Sequence, residues 1–139
     1  MKPAAAAAAP VGAGPTGNIS GLAARQTGSA VGSIRNVAVA ALTKNMADEL
    51  GPFGINVTLV HPGLTRTERT APLVQARALA QGITPQEVET QMASGNSINV
   101  LLDASDVAHI VVFLCAPKSR AVHGDVIAAG GGAPRSIHY

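Results

Sequence analysis

Between Ser33 and Leu50 the apolar residues return at helical spacing, as Ile34, Val37, Ala38, Ala41, Leu42, Met46 and Leu50. That i, i+3, i+4, i+7 rhythm predicts one amphipathic helix. Ser33 stands where an N-cap belongs, and Gly51-Pro52 closes the segment. Asp48 and Glu49 lie at the negative end of the helix dipole, a placement that costs about 0.3–1 kcal/mol. The apolar stripe is therefore expected to be what holds the helix down. Next, Ile55-Asn56-Val57-Thr58-Leu59-Val60 is a β-branched run between Gly54 and Pro62-Gly63, short enough for a buried strand.

Residues 64–99 carry two weaker helical pieces, a segment placed to shape a pocket. The second opens with Thr84-Pro85-Gln86-Glu87, a capping box with proline in the first turn. A third strong helix is expected from Ser105, capped by its hydroxyl, through Val107, Ile110, Val111 and Leu114 until Pro117 stops it. After His123-Gly124, the run Val126-Ile127-Ala128-Ala129 predicts a last strand that enters Gly130-Gly131-Gly132. Strands alternating with helices of this length imply parallel crossover units, hence an α/β sheet.

Residues Met1 to Gly17 are almost wholly alanine, proline and glycine and offer no apolar face. The expected organisation is a flexible leader over 1–17, a domain over 18–132 and a tail over 133–139. Gly12-Ala13-Gly14-Pro15-Thr16-Gly17 matches the dinucleotide fingerprint letter for letter. No strand precedes it and Pro15 interrupts it, so it is not read as a phosphate loop.

Length and composition narrow the class. The 139 residues set one domain as the ceiling, and 47% hydrophobic with 13% charged residues is a globular composition. Ten Lys and Arg against eight Asp and Glu are scattered along the chain, so no basic stripe tracks a phosphate backbone. One Tyr, two Phe and no Trp supply no stacking platform; nucleic acid is excluded as a partner. No stretch approaches the roughly 18 consecutive apolar residues of a membrane span. The alanine run behind Lys2 imitates an export signal without its large apolar residues, and the cytoplasm is the expected location. Cys115, the single cysteine, falls in an apolar helical pattern and is read as an inert core residue of a reducing compartment. The sequons at Asn18 and Asn56 are chance matches on this reading.

The segments from Asn36 through Lys44, Asp48-Glu49-Leu50-Gly51-Pro52, Gly54-Ile55-Asn56-Val57 and His61-Pro62-Gly63 resemble the short-chain dehydrogenases. So do Ser105-Asp106-Val107-Ala108 and Gly124-Asp125-Val126-Ile127 before the glycine triplet. The resemblance covers Asn18 to Gly132, corresponds to the second half of that family's domain, and implies a partial Rossmann-type doubly wound parallel sheet. It also implies NAD or NADP as cofactor and a small-molecule carbonyl or alcohol as substrate. The family's strand-end turn against the nicotinamide corresponds to Pro62, Gly63, Leu64, Thr65 and Thr67. Backbone groups at the carboxyl end of a parallel strand are free to meet a ligand, and glycine allows close approach. A plain strand-to-loop turn would use the same residues.

The family's acid is a tyrosine with a lysine four positions on, and a serine steadies the substrate oxygen. Those positions fall on Gly32, Asn36 and Gly21. Glycine has no proton to give, and asparagine carries no charge to lower a neighbour's pKa. Ser20, one residue early, and His61, beside the turn, are the candidates left for catalysis, each with packing or local bonding as the plainer role. Arg35 is read as solvated, Tyr139 as the terminal residue is not placed in the site, and His109, His123 and His138 lack partners at metal-ligand spacing. No metal site is expected.

Two functions stay open. One is an NAD(P)-dependent oxidoreductase of this family, truncated and weak or inactive as a separate chain. The other is a non-catalytic partner or scaffold that joins a full-length relative or its own copy through the helix at 33–50. A misplaced start or a decayed gene, with Met1 to Gly17 in place of the true upstream sequence, is a third reading. The sequence names no substrate, and the choice between NAD and NADP lies in the half without a counterpart here.

Overall fold

A computed structural model describes residues 14–134. Its elements run β1 (Thr16–Ile19), α1 (Ala30–Leu50), β2 (Val57–Pro62), β3 (Thr65–Arg66), α2 (Thr70–Gln81), α3 (Pro85–Ala93), β4 (Leu102–Asp103), α4 (Ala104–Leu114) and β5 (Val126–Ala129), with short 3-10 turns at Leu22–Arg25, Gly51–Phe53 and Pro117–Ser119. Strands β1, β2 and β5 form a parallel sheet in that order. This is the α/β, partial doubly wound architecture expected from the alternation of elements. A second parallel pair, β3 with β4, ties the insertion together and has no periodic signature two residues long.

Strand β2 is central, and Val57, Thr58, Leu59, Val60 and His61 are all buried, as a strand covered on both faces requires. Its alternate residues meet different helices. Val60 joins Val107 and Leu114 of α4 and Ala129 of β5 in one cluster. Leu59 lies opposite Asn18 in the register, and the Asn18 amide donates to the Thr43 hydroxyl of α1 at 2.9 Å. The insertion has its own small core of Val74, Ala78, Val88, Met92 and Leu101, so it stands as a separate layer beside the sheet. The capping box of α3 forms as its sequence predicts: Glu87 N–H donates to the Thr84 hydroxyl, and Thr84 N–H to the Glu87 carboxylate at 2.7 Å.

Several expectations are corrected. Helix α1 starts three residues before Ser33, and Ser29 is its cap, accepting the Gly32 N–H at 3.1 Å. Its expected core stripe faces outward: Ile34 is 71% exposed and Leu42 55%. The buried face is Asn36, Thr43 and Ala47. Small side chains let the helix lie close to the sheet, and the polar ones are satisfied there. Thr43 donates to Val39 C=O while accepting Asn18, and Asn36 donates to Gly21 C=O at 3.2 Å. Helix α4 begins at Ala104, not Ser105, and the Asp106 carboxylate accepts the Asp103 N–H at 2.9 Å, an acid suited to the positive end of the dipole. Cys115 is exposed rather than core, because α4 ends at Leu114 and the thiol sits on the turn that follows. Thr16 and Gly17, read as leader, form the first half of β1. The rest of that fingerprint motif through Ala13, with Tyr139 and His138, lies outside the described residues.

Candidate functional site

The three strands of the sheet end together at their carboxyl termini, and the backbone there is packed tightly. A Cβ on Gly63 would stand 2.6 Å from Gly130 Cα, and one on Gly130 would stand 2.9 Å from Gly63 Cα. The chains leaving β2 and β5 therefore touch main chain to main chain, a contact that only glycine on both sides permits. Gly63 N–H donates to Ala129 C=O at 3.2 Å. Gly131 and Gly132 follow with φ of +72° and +83°, a turn closed to most side chains.

Above this junction lies a cleft of about 350 Å³. Pro62, Gly63 and Leu64 form one wall, Leu22, Ala23 and Gln26 a second, and Met92, Gly95 and Asn96 of the insertion a third. The lining is mainly apolar with a few amides, and the cleft sits outside the carboxyl ends of parallel strands, where open α/β sheets bind ligands. The insertion does shape the pocket, through the end of α3 and the loop after it.

Of the five turn residues expected to meet a cofactor, Pro62, Gly63 and Leu64 reach the cleft. Thr65 turns its hydroxyl back to Gly63 C=O at 3.0 Å and braces the turn. Thr67 is exposed, its N–H donating to the Thr70 hydroxyl at 2.8 Å. Both threonines stand outside the cleft lining.

Ser20 and His61 are brought together one step beyond the last paired positions, Ile19 and Val60. Ser20 N–H donates to Val60 C=O at 3.0 Å, yet its hydroxyl is buried without a partner, and so is Nδ1 of His61. His61 is 1% exposed. Burial, and then the positive charge of Arg25, hold its pKa below the ordinary 6.5. Among the described residues these are the buried side-chain atoms left unpaired, and both lie at the carboxyl end of the sheet.

The positions that the resemblance assigns to serine, tyrosine and lysine gather beside them. A Cβ at Gly21 would meet Asn36 Nδ2 at 3.1 Å, and one at Gly32 would meet Ser29 Oγ at 2.8 Å. Asn36 is occupied by its bond to Gly21 C=O, so the lysine position holds the end of β1 in place. Arg35 is exposed. Two features escaped sequence reasoning: the walls given by Leu22–Gln26 and Gly95–Asn96, and the proximity of Arg25 to His61. Neither has a local signal, since each depends on chain segments meeting over long separations. Among the described residues no group of three or more His, Cys, Asp or Glu gathers as metal ligands.

Comparison with known proteins agrees with this architecture. The family model described as Enoyl-(Acyl carrier protein) reductase matches residues 6–134. The NADPH-dependent reductase BacG of Bacillus subtilis (strain 168) is 30% identical over 105 residues, which are 76% of this chain and 40% of BacG. The short-chain reductase protein NovJ of Streptomyces niveus is 30% identical over 118 residues, 84% of this chain and 44% of NovJ. A short-chain dehydrogenase family protein from Francisella tularensis superposes with a TM-score of 0.76 at 25% identity, covering 84% of this chain and 49% of that structure. The chain thus spans less than half the length of these relatives, and it belongs to the short-chain dehydrogenase/reductase family.

Proposed function

We propose that this chain is the nicotinamide-facing half of an NAD(P)-dependent short-chain oxidoreductase, and that alone it binds the cofactor weakly and turns over slowly or not at all. The observation that carries the reading is the cleft of about 350 Å³ walled by the Pro62-Gly63-Leu64 turn, at the strand ends where this fold class receives ligands. Its apolar walls and the Gln26 amide suit the flat, uncharged carboxamide end of a nicotinamide, while the Asn96 amide is bonded at both ends to the Val100 backbone and shapes the wall. Among the described residues no glycine-rich loop cradles the phosphates, which is why affinity is weak. When bound, the nicotinamide supplies or accepts a hydride, and the substrate implied is a small carbonyl or alcohol.

In this reading Thr65 braces the turn and Thr67 marks its far end. Ser20 and His61 are the groups left to move a proton. His61, with its lowered pKa, is neutral at pH 7, and both lie beneath the cleft surface rather than on it. Asn36 and Gly32 supply no acid. The test is titration of the whole chain with NADPH and NADH, followed by nicotinamide fluorescence, beside a Leu64→Trp variant that fills the cleft mouth. Leu64 is half exposed, so this change spares the Gly63–Gly130 contact. Binding in the millimolar to high micromolar range that weakens at least tenfold in the variant supports the reading. A folded chain that binds neither cofactor sinks it.

A second reading, a non-catalytic subunit joined to a relative or to its own copy, is favoured by the outer face of α1. Val31 is 79% exposed and Ile34 71%, and with Ala38 and Leu42 they form an apolar stripe over three turns. Sedimentation of the chain and of an Ile34→Glu variant tests it: a dimer that the charge dissociates supports α1 as the interface, and a monomer at high concentration rejects self-association.

A further inference from the structure

We propose that Arg25 is the anion-receiving residue of this cleft and that the carbonyl substrate is an oxo acid, whose carboxylate pairs with the guanidinium. The inference rests on the cofactor reading, since it names the substrate class for that same site. Arg25 ends the short turn Leu22–Arg25, and Leu22, Ala23 and Gln26 on either side of it line the cleft. It is half-buried, whereas every other described lysine and arginine is exposed. Among the described residues, none of the eight Asp and Glu forms an ion pair with it. Its side chain makes one hydrogen bond there, from Nη2 to Val126 C=O at 3.5 Å, beyond the roughly 2.7–3.2 Å of a firm N–H···O bond. A guanidinium has further N–H donors to place, and a cation drawn from water without a counter-ion carries a desolvation cost that a bound anion offsets.

A second observation points to the same place. Ser20 N–H donates to Val60 C=O, which carries the pairing of Ile19 with Val60 one step on and sets Ser20 opposite His61, on one face of the sheet. Each keeps a buried polar atom unpaired, the Ser20 hydroxyl and Nδ1 of His61. Burial, and then the charge of Arg25, disfavour the protonated ring of His61, and a histidine of either charge state is no counter-ion for a guanidinium. A carboxylate is one: it accepts two parallel N–H bonds from an arginine, and the Ser20 hydroxyl is a further unspent donor at the same strand end. One arginine matches the single charge of a carboxylate, whereas a phosphate group with about two charges at pH 7 would leave one unmet. Arg25 reaches toward Val126 of β5, on the opposite side of β2 from β1, so its want of an acidic partner does not arise at the outer edge of β1.

The experiment titrates the whole chain, without cofactor, with pyruvate and acetoacetate, each beside its methyl ester, and follows binding by calorimetry and by NMR of the histidine rings. The expected result is that at least one acid binds roughly tenfold or more tightly than its ester, the worth of a charged hydrogen bond. The same acid should move the ring signals of His61 and leave those of His123, at the far end of β2, in place. Arg25→Gln should abolish the preference for the acid and leave the ester unchanged, Arg25→Lys should restore part of it, and Arg69→Gln, at an exposed arginine, should change nothing. If Arg25→Gln does not fold, Arg25→Lys and the parent's own preference with its His61 shift decide the matter. Four results overturn the proposal: neither acid binding, acid and ester binding alike, a preference that survives in Arg25→Gln, or inorganic phosphate binding as tightly as the acid. NADPH titrated in parallel separates the two readings. An affinity for NADPH that falls in Arg25→Gln as far as that for the acid assigns the arginine to the cofactor and also overturns the proposal. A chain that binds the acid through Arg25 but neither NADPH nor NADH overturns the oxidoreductase reading and leaves the carboxylate site intact.

Discussion

Strand β2 has a histidine at each end, and the two are treated in opposite ways. At its start, His123 reaches in from the turn before β5. Its Nε2 lies 2.9 Å from Ala47 C=O, and its Nδ1 lies 3.2 Å from the Val57 N–H and 2.9 Å from the Asn56 amide oxygen. One ring thus fastens the end of α1, the start of β2 and the approach to β5. At the other end of β2, His61 is the more deeply buried of the two, and its Nδ1 has no partner. The amino end of the sheet is closed by paired polar groups; the carboxyl end leaves the Ser20 hydroxyl and His61 Nδ1 unpaired beneath the cleft. Unpaired buried polar atoms are costly and rare, and here both lie where a ligand site belongs.

The largest effect is expected where the cleft floor is backbone on backbone. Gly63→Ala puts a methyl 2.6 Å from Gly130 Cα, and neither main chain can yield without parting β2 from β5. The change should lower stability by roughly 3 kcal/mol or more, read as a fall in denaturant midpoint. Stability unchanged within error would mean that the strand ends are looser than this geometry. At the opposite end, His123→Ala leaves the Val57 N–H and Ala47 C=O without their partner and should cost roughly 2–3 kcal/mol by the same measurement. A loss there no larger than at His61 would erase the contrast between the two ends.

How much of this was legible beforehand depends on how local each signal is. The β5 run Val126–Ala129 was readable because glycine bounds it on both sides, and α3 because its capping box spans four residues. The buried face of α1 was not. Periodicity singles out the largest apolar side chains, whereas close packing on the sheet selected Asn36, Thr43 and Ala47. At the site, Pro62-Gly63 was legible as the turn that ends a buried strand. Nothing local separates His61 from His123, since the partners of His123 lie 66 to 76 residues away. The contact between Gly63 and Gly130 joins two turns that sequence marks only separately.

Smaller effects sharpen the comparison at the carboxyl end. Thr65→Val removes the hydroxyl that binds Gly63 C=O at 3.0 Å, where the carbonyl is only partly buried and water can replace it. The expected cost is about 1 kcal/mol, and a cost as large as that of His123→Ala would make this turn a structural fastening equal to the other end.

The smallest change in stability, and the most informative in pH, is expected from His61→Leu. The substitution exchanges an unpaired polar ring for an apolar side chain in a buried site, so near pH 7.5 stability should stay within about 0.5 kcal/mol of the parent. The two proteins should part as pH falls. Burial and Arg25 place the folded pKa of His61 below 6.5, so in the acid range the unfolded chain binds the proton more readily than the folded one. Its contribution is thus fully present above about 6.5 and is lost as pH drops toward the lowered folded value. Thermal midpoints measured from pH 7.5 to 5 should decline more steeply for the parent than for His61→Leu. Parallel curves would show that a partner reaches His61 in solution and keeps its affinity for protons unchanged on folding. The carboxyl end would then be as fully paired as the amino end, and the case for a ligand site at Ser20 and His61 would go with it.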